Sequence, residues 1–266
     1  MSYLEYIKAF GHIKFEQLKD NLNHKKLSTL DTSQKKLLHE LNLFGVTVIP
    51  NYYSIEECEK IKTNIDDMIS NNTIKKWYDD SKSDSRIFAS HKYSESIKKF
   101  HEDPFLKKLG EAYTKSELIN SHTLGAKLIA TENNFGSGGG WHRDSVFKIQ
   151  YKSIAYLSDV NIDNGPFEYL LGSHKKSTIL KSIKENKFKA HHNRFSEEDI
   201  QQFKESNPSI NSKVFTAKKG TVILVDTSGI HRGTPIKSGN RYALTNYFFP
   251  KHHHTNSQRK KFEALF

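Results

Sequence analysis

Ser121-His122-Thr123-Leu124-Gly125-Ala126-Lys127-Leu128-Ile129-Ala130-Thr131 is the stretch on which the fold class turns. Leu124, Ala126, Leu128 and Ala130 alternate with Gly125, Lys127, Ile129 and Thr131, the period of two expected when successive side chains point to opposite faces of a strand. Downstream the chain keeps this character. Val146 to Leu157 is rich in β-branched and aromatic residues and reads as further strand. Asn161-Ile162-Asp163-Asn164-Gly165-Pro166 is a turn, and Phe167 to Leu171 is a strand stopped by Gly172-Ser173-His174. A lysine-rich, polar insertion over 175–212 follows, with a short helix opened by Ser196-Glu197-Glu198-Asp199. Strands then resume over 213–216, 221–226 and 241–249.

Upstream the period is helical. Leu4, Ile7 and Phe10, then Leu37, Leu38, Leu41 and Leu43, have helical spacing, and Gly45 is placed to end the second run. Val46, Val48 and Ile49 predict a short strand before Pro50, and Ser54-Ile55-Glu56-Glu57 has the form of a capping box opening a helix to about Ser70. The polar segment 71–84, with Trp77 and Tyr78 in its middle, reads as a surface loop bordering a pocket. Asp103-Pro104 starts a helix, aspartate as N-cap and proline at the first helical position. Helices gathered ahead of short, turn-separated strands predict a mainly β protein with flanking helices on a double-stranded β-helix (jelly roll, cupin-like) core. We expect one domain over 1–266: a helical N-terminal region over 1–120, a jelly-roll core over about 121–250, and a basic, exposed C-terminal tail over 251–266. Three consecutive histidines, His252-His253-His254, cannot all face one ion, so the tail is not read as a metal site.

Composition narrows the partners. With 35% hydrophobic and 12% aromatic residues the chain can build a sizeable core. No apolar run approaches the roughly 20 residues that span a bilayer, and Met1-Ser2-Tyr3-Leu4-Glu5 lacks a signal pattern, so a cytoplasmic protein without a membrane span is expected. The single cysteine, Cys58, shares a helical stripe with Ile55, Ile61, Ile65 and Met68 and reads as a buried core thiol. Forty-one basic against thirty acidic residues give a formal charge of +11, which suits an anionic partner, although much of the excess is dispersed lysine.

The chemistry is concentrated in Trp141-His142-Arg143-Asp144-Ser145, directly after Gly136-Ser137-Gly138-Gly139-Gly140. A histidine and an aspartate two residues apart on extended chain point to one side and can reach one ion. His101-Glu102-Asp103 has the same form, but its aspartate is committed to capping and no strand pattern surrounds it. His231 supplies a third ligand for the first pair: His142, Asp144 and His231 would form the 2-His-1-carboxylate facial triad that holds non-haem Fe(II) with an open face. Arg241, at the head of the last strong strand, is suited to bind a carboxylate near that metal.

Together with the segment Phe44-Gly45-Val46-Thr47-Val48-Ile49-Pro50-Asn51-Tyr52-Tyr53 and the run from Asn164-Gly165-Pro166 to Gly172-Ser173-His174, these residues make most of the chain resemble the phytanoyl-CoA dioxygenase family of Fe(II)- and 2-oxoglutarate-dependent oxygenases. The resemblance implies that His142, Asp144 and His231 bind iron, that Arg241 binds the distal carboxylate of 2-oxoglutarate, and that Lys127 and Tyr156 border the 2-oxoglutarate pocket. It also implies O2-dependent decarboxylation of 2-oxoglutarate to succinate and hydroxylation of a substrate. We expect that substrate to be an anionic small molecule or metabolite conjugate. His174 reads as structural, and Leu171 departs from the family's usual proline. Two alternatives are weighed: an oxidative demethylase of nucleic acid, and a non-catalytic cupin-like binding protein. The first would carry a second arginine where Tyr247 stands, so nucleic acid is not the expected partner. The intact ligand set speaks against the second.

Overall fold

The computed structural model describes residues 2–25, 29–185 and 187–254. Two helices lead in, α1 (Ser2–Leu22) and α2 (Thr32–Phe44). Gly45 ends α2 in the left-handed region at φ 82°, where an added Cβ would meet the Tyr169 hydroxyl at 2.3 Å. On α1 the sequence's apolar spacing is helical, but Leu4, Ile7 and Phe10 face outward while Ala9 and Ile13 are buried. Strand β1 (Val46–Ile49) then leads to α3 (Ile55–Ser70), opened by the reciprocal Ser54/Glu57 capping box and burying Cys58, Ile61, Ile65 and Met68. Cys58 is the core thiol expected, with burial pushing it up to about 11.

Residues 71–84 depart from the loop reading. Trp77–Tyr78 form β2 and Asp84–Ile87 form β3, and both extend the main sheet. The alternation is hard to see because β2 is only two residues long and exposed on both sides. Helices α4 (Glu95–His101) and α5 (Pro104–Thr114) follow, the second capped by Asp103, whose carboxylate accepts from the Phe105 and Leu106 N–H groups.

The β core consists of β4 (Leu118–Ile129), β5 (Tyr151–Tyr156), β6 (Phe167–Leu170), β7 (Ser212–Phe215), β8 (Val222–Asp226), β9 (His231–Gly233) and β10 (Asn240–Pro250). The large sheet has the order β1-β8-β5-β10-β4-β3-β2 and the small one β7-β6-β9, with antiparallel pairing throughout. This is the jelly roll: a predominantly β core with flanking helices. The insertion holds two helices, α6 (Lys176–Lys184) and α7 (Glu197–Ser206). Its Phe188, Phe195, Ile200, Phe203 and Ile210 pack with Trp141, so the inserted segment is built onto the motif. Helix α1 packs on α6 through Ala9, Ile179 and Ile183, together with Val146 just past the motif.

The tail is only partly exposed where it is described: Lys251 faces solvent, but the histidines after it turn inward. Lys251–His253 form a 3-10 turn, His253 is only 6% exposed, and both His252 and His253 face α1. The polar carboxylates of α1, rather than water, receive these residues; residues 255–266 lie outside the described chain. No helix among the described residues is long and apolar enough to cross a membrane.

His101, the histidine of the second His-x-Asp, stacks face to face on His91 at 3.7 Å between centroids and hydrogen-bonds Thr123 Oγ1 at 2.9 Å. Burial pushes both imidazoles down to about 4, and His101 adds to the effect on His91. An unfolded histidine titrates near 6.5, so between pH 6.5 and about 4 the unfolded chain binds more protons and stability falls with pH. We therefore expect Tm to decline as pH drops below about 6.5, and His101→Gln to make that decline shallower. An unchanged slope in the variant would remove this pair as a cause.

Candidate functional site

His142 and His231 are joined through their backbones. The His142 N–H donates to the His231 carbonyl at 2.9 Å and the His231 N–H donates to the His142 carbonyl at 2.8 Å. His231 opens β9, whereas His142 and Asp144 lie on extended chain outside a regular strand. Asp144 is anchored by its N–H donating to the Thr227 carbonyl at 2.9 Å. The strand expected from Val146 begins only at Tyr151, because Ser145 Oγ accepts from the Lys148 N–H and turns the chain first.

Each imidazole is also fixed at its rear. His142 Nδ1 lies 2.8 Å from the Gly140 carbonyl and His231 Nδ1 lies 2.9 Å from the Gly229 carbonyl. A carbonyl only accepts, so each Nδ1 carries the proton and each Nε2 presents a lone pair. Those lone pairs meet Asp144, with His142 Nε2 3.8 Å from Oδ1 and His231 Nε2 3.9 Å from Oδ2. The three donor atoms lie within 4.8 Å of one another. Burial pushes His231 down to about 3 and also lowers His142. Burial alone would raise the Asp144 carboxyl, but Lys152 and the two imidazoles hold it well below the usual carboxylate range. Two neutral imidazoles and one carboxylate are the protonation states that a divalent cation needs, and the donor set suits iron(II).

The three donors open into a pocket of about 210 Å³. Strand alternation sorts its walls: Leu124 and Ala126 from β4, Lys152, Ile154 and Tyr156 from β5, and Arg241, Ala243, Thr245 and Tyr247 from β10. Arg241 is buried there; Nη1 donates to the Gly165 carbonyl, while Nε is closed off from solvent with no partner among the described residues. Tyr156 is also in the wall, but its hydroxyl already donates to the Phe215 carbonyl at 3.1 Å and accepts from the Phe167 N–H at 2.9 Å. Lys127 is not in the pocket. It follows Ala126 by one residue and so faces the other side of β4, where its Nζ meets Asp66 at 2.7 Å.

Three basic residues join the site without having been read from the sequence. Lys152 Nζ lies 2.7 Å from Asp144 Oδ2 and 3.9 Å from the centre of the Tyr247 ring. Its signal was a lysine in register with Ile154 and Tyr156 on an otherwise apolar strand. Arg86, on β3, pairs with Asp84 at 2.6 Å and reaches Ser137 Oγ at 3.1 Å. Arg194, from the insertion, donates to the carbonyls of Gly138 and Gly139. His174 is buried away from the pocket, with Nε2 3.3 Å from the Asn42 carbonyl, as expected of a structural residue.

Among known protein families, the one described as phytanoyl-CoA dioxygenase (PhyH) matches residues 41–243. No curated protein matches the sequence. The fold is shared with the α-ketoglutarate-dependent epimerase SnoN from nogalamycin biosynthesis, solved with Fe3+, α-ketoglutarate and nogalamycin RO. That chain is 12% identical with a TM-score of 0.62, over 82% of this chain and 84% of that one. The carbocyclase SnoK from the same biosynthesis is 12% identical with a TM-score of 0.62, over 84% and 87% of the two chains. HygX from Streptomyces hygroscopicus, solved with nickel, 2-oxoglutarate and hygromycin B, is 16% identical with a TM-score of 0.57, over 84% and 88%.

Gly138 marks how tightly the glycine run is fitted to the donors. It has φ +90°, and an added Cβ would lie 2.4 Å from His142 Cε1. Gly138→Ala should displace the imidazole and weaken Fe(II) or Ni(II) binding on the order of 10- to 100-fold, as loss of ligand support does. Calorimetric titration checks it; unaltered affinity with unaltered circular dichroism would show that the run does not position His142.

Proposed function

The chain belongs to the phytanoyl-CoA dioxygenase family, and from that membership we propose that it is an Fe(II)- and 2-oxoglutarate-dependent dioxygenase hydroxylating an anionic small molecule. One observation carries the reading: the Nε2 lone pairs of His142 and His231 and the Asp144 carboxylate converge on a pocket that also contains the buried, incompletely partnered Arg241 guanidinium. His142, Asp144 and His231 would hold the iron and leave its opposite face open. With Fe(II), 2-oxoglutarate and O2 bound, such a site supplies oxidative decarboxylation to succinate and CO2 coupled to oxidation of a substrate C–H bond.

The remaining roles belong to the protein's own groups. Arg241 is the candidate for the distal carboxylate of 2-oxoglutarate, since a buried, incompletely partnered guanidinium in the pocket wall favours an anionic partner. Tyr156, with its hydroxyl engaged on both sides, contributes an aromatic wall. Lys127 is left out, because it faces Asp66 on the far side of the strand. Lys152 holds one oxygen of Asp144 and thereby sets the carboxylate's rotation between the two imidazoles. Arg86, Lys152, Arg194 and Arg241 face Asp144 as the one acidic residue lining the pocket. This excess supports an anionic substrate beyond what the dicarboxylate cosubstrate accounts for. We assign the chemistry to one oxygenase domain formed by the whole chain. Tyr247 lies in the pocket where a base demethylase would carry its second arginine, which favours the small-molecule reading.

His142→Ala or Asp144→Ala is expected to abolish succinate formation in an Fe(II) and ascorbate assay; undiminished succinate would refute the metal assignment. For Arg241→Ala we expect a rise in KM for 2-oxoglutarate equivalent to roughly 3 to 5 kcal/mol, the scale of a broken buried ion pair. An unchanged KM would rule the arginine out as cosubstrate ligand. With 18O2, hydroxylation requires a labelled oxygen in the product, and an isomerised or cyclised product without it would replace hydroxylation with another outcome.

A further inference from the structure

A second group of metal-ligating side chains lies outside this site, where the end of β10 meets α1. Asp20 and Glu16, four residues apart, share one face of α1. His252 and His253 follow Pro250 on the 3-10 turn. His252 Nε2 lies 2.9 Å from Asp20 Oδ1, and His253 Nε2 lies 3.6 Å from the same oxygen and 3.1 Å from Glu16 Oε2. Asp20, His252 and His253 keep their donor atoms within 4.8 Å of one another.

The ordinary reading of such a cluster is a set of ion pairs, and the details oppose it. His253 and Glu16 are both more than nine-tenths buried. Although 3.1 Å apart, His253 Nε2 and Glu16 Oε2 are each shut off from solvent with no hydrogen-bond partner among the described residues. Two polar atoms buried face to face with no hydrogen bond between them are unfavourable, and a cation between them would answer both. The only ammonium groups near Glu16 among the described residues are Lys19 at 3.5 Å and Lys148 at 3.9 Å, both partly exposed and at the margin of contact.

We propose that Asp20, His252 and His253, with the Glu16 carboxylate beside His253, form a second metal site, of the zinc class, that clamps α1 to the end of β10. Two imidazole nitrogens and one carboxylate oxygen are three ligands for four-coordinate Zn(II), with bonds of about 2.0 to 2.2 Å, and Glu16 or a water takes the fourth position. Donor atoms around such an ion stand roughly 3.3 to 3.5 Å apart, and the separations of 2.9, 3.1 and 3.6 Å bracket that spacing. The site also has a location that matters. His253 lines a cleft of about 350 Å³ shared with Asp144, Lys148, Lys152 and Tyr247, so the clamp borders the surface next to the triad.

The test uses the full chain with the triad disabled, Asp144→Ala/His231→Ala, so that its result is independent of the iron reading. After equilibration with Zn(II) and removal of loose metal, this protein should retain one zinc per chain, show a Zn(II)-dependent rise in Tm, and give the visible absorption of four-coordinate Co(II) when cobalt replaces zinc. Adding Asp20→Asn and His253→Gln should abolish all three. Should His253→Gln fail to fold, Asp20→Asn alone, on the partly exposed face of α1, should weaken Zn(II) binding at least tenfold. No retained zinc in the triad variant, or the same zinc content and Tm response with and without the clamp substitutions, would overturn the proposal.

Discussion

The reciprocal backbone pair between His142 and His231 is the contact on which the site depends. It joins an irregular extended segment to the first residue of β9, and so brings two imidazoles together from positions far apart in the chain. Once the backbones are paired, the Gly140 and Gly229 carbonyls behind the rings settle both tautomers, and the two lone pairs face one carboxylate. The glycine run follows from the same constraint: only a chain without Cβ can pass so close to His142 at Gly138 in the left-handed region. The same run is the rear support of a ligand, since the Gly140 carbonyl accepts from His142 Nδ1.

Period-two alternation then decides which residues can take part. On β10 the odd-numbered positions from Arg241 to Tyr247 line the pocket, while Tyr242 turns away to meet Asp66. On β4 the same rule brings Leu124 and Ala126 inward and sends Lys127 out to Asp66. The register β4–β10 makes this a single decision, since Lys127 and Tyr242 are direct cross-strand partners and share that outer face. A position defined by family resemblance can be off by one residue, and on a strand one residue is the whole difference between pocket and back side.

The legible features of the sequence were those that signal locally. Gly45, Ser54 with Glu57, and Asp103 with Pro104 each ended or started the helix their chemistry prescribes, because a cap is satisfied within one turn. His142, Asp144, His231 and Arg241 stood out because their types and order match one chemistry. The features that stayed hidden depend on long-range contacts. Strand β2 is too short and β3 too short and polar to show alternation, and Arg86 enters the pocket only because β3 adds to β4. Arg194 sits in a segment that reads as a polar insertion, and its role exists only because Phe195 and its neighbours pack on Trp141. His252 and His253 read as an exposed tail because nothing in their neighbourhood foretells that Glu16 and Asp20, at the other end of the chain, will meet them.

The hidden residues are mostly basic, and their positions explain where some of the +11 charge goes. Lys152 and Arg241 are buried, and a buried ammonium or guanidinium is costly unless an anion answers it. Asp144 is engaged by Lys152 and lies between the two imidazoles, Asp84 is engaged by Arg86, and Arg194 spends donors on glycine carbonyls. That leaves the Arg241 Nε direction as the unanswered donor at the far wall. A dicarboxylate bound between that wall and a divalent ion on the triad would answer both ends at once. The same electrostatics is what supports the anionic substrate proposed above, since a cationic ligand would meet like charge from Lys152 and Arg194 on the walls.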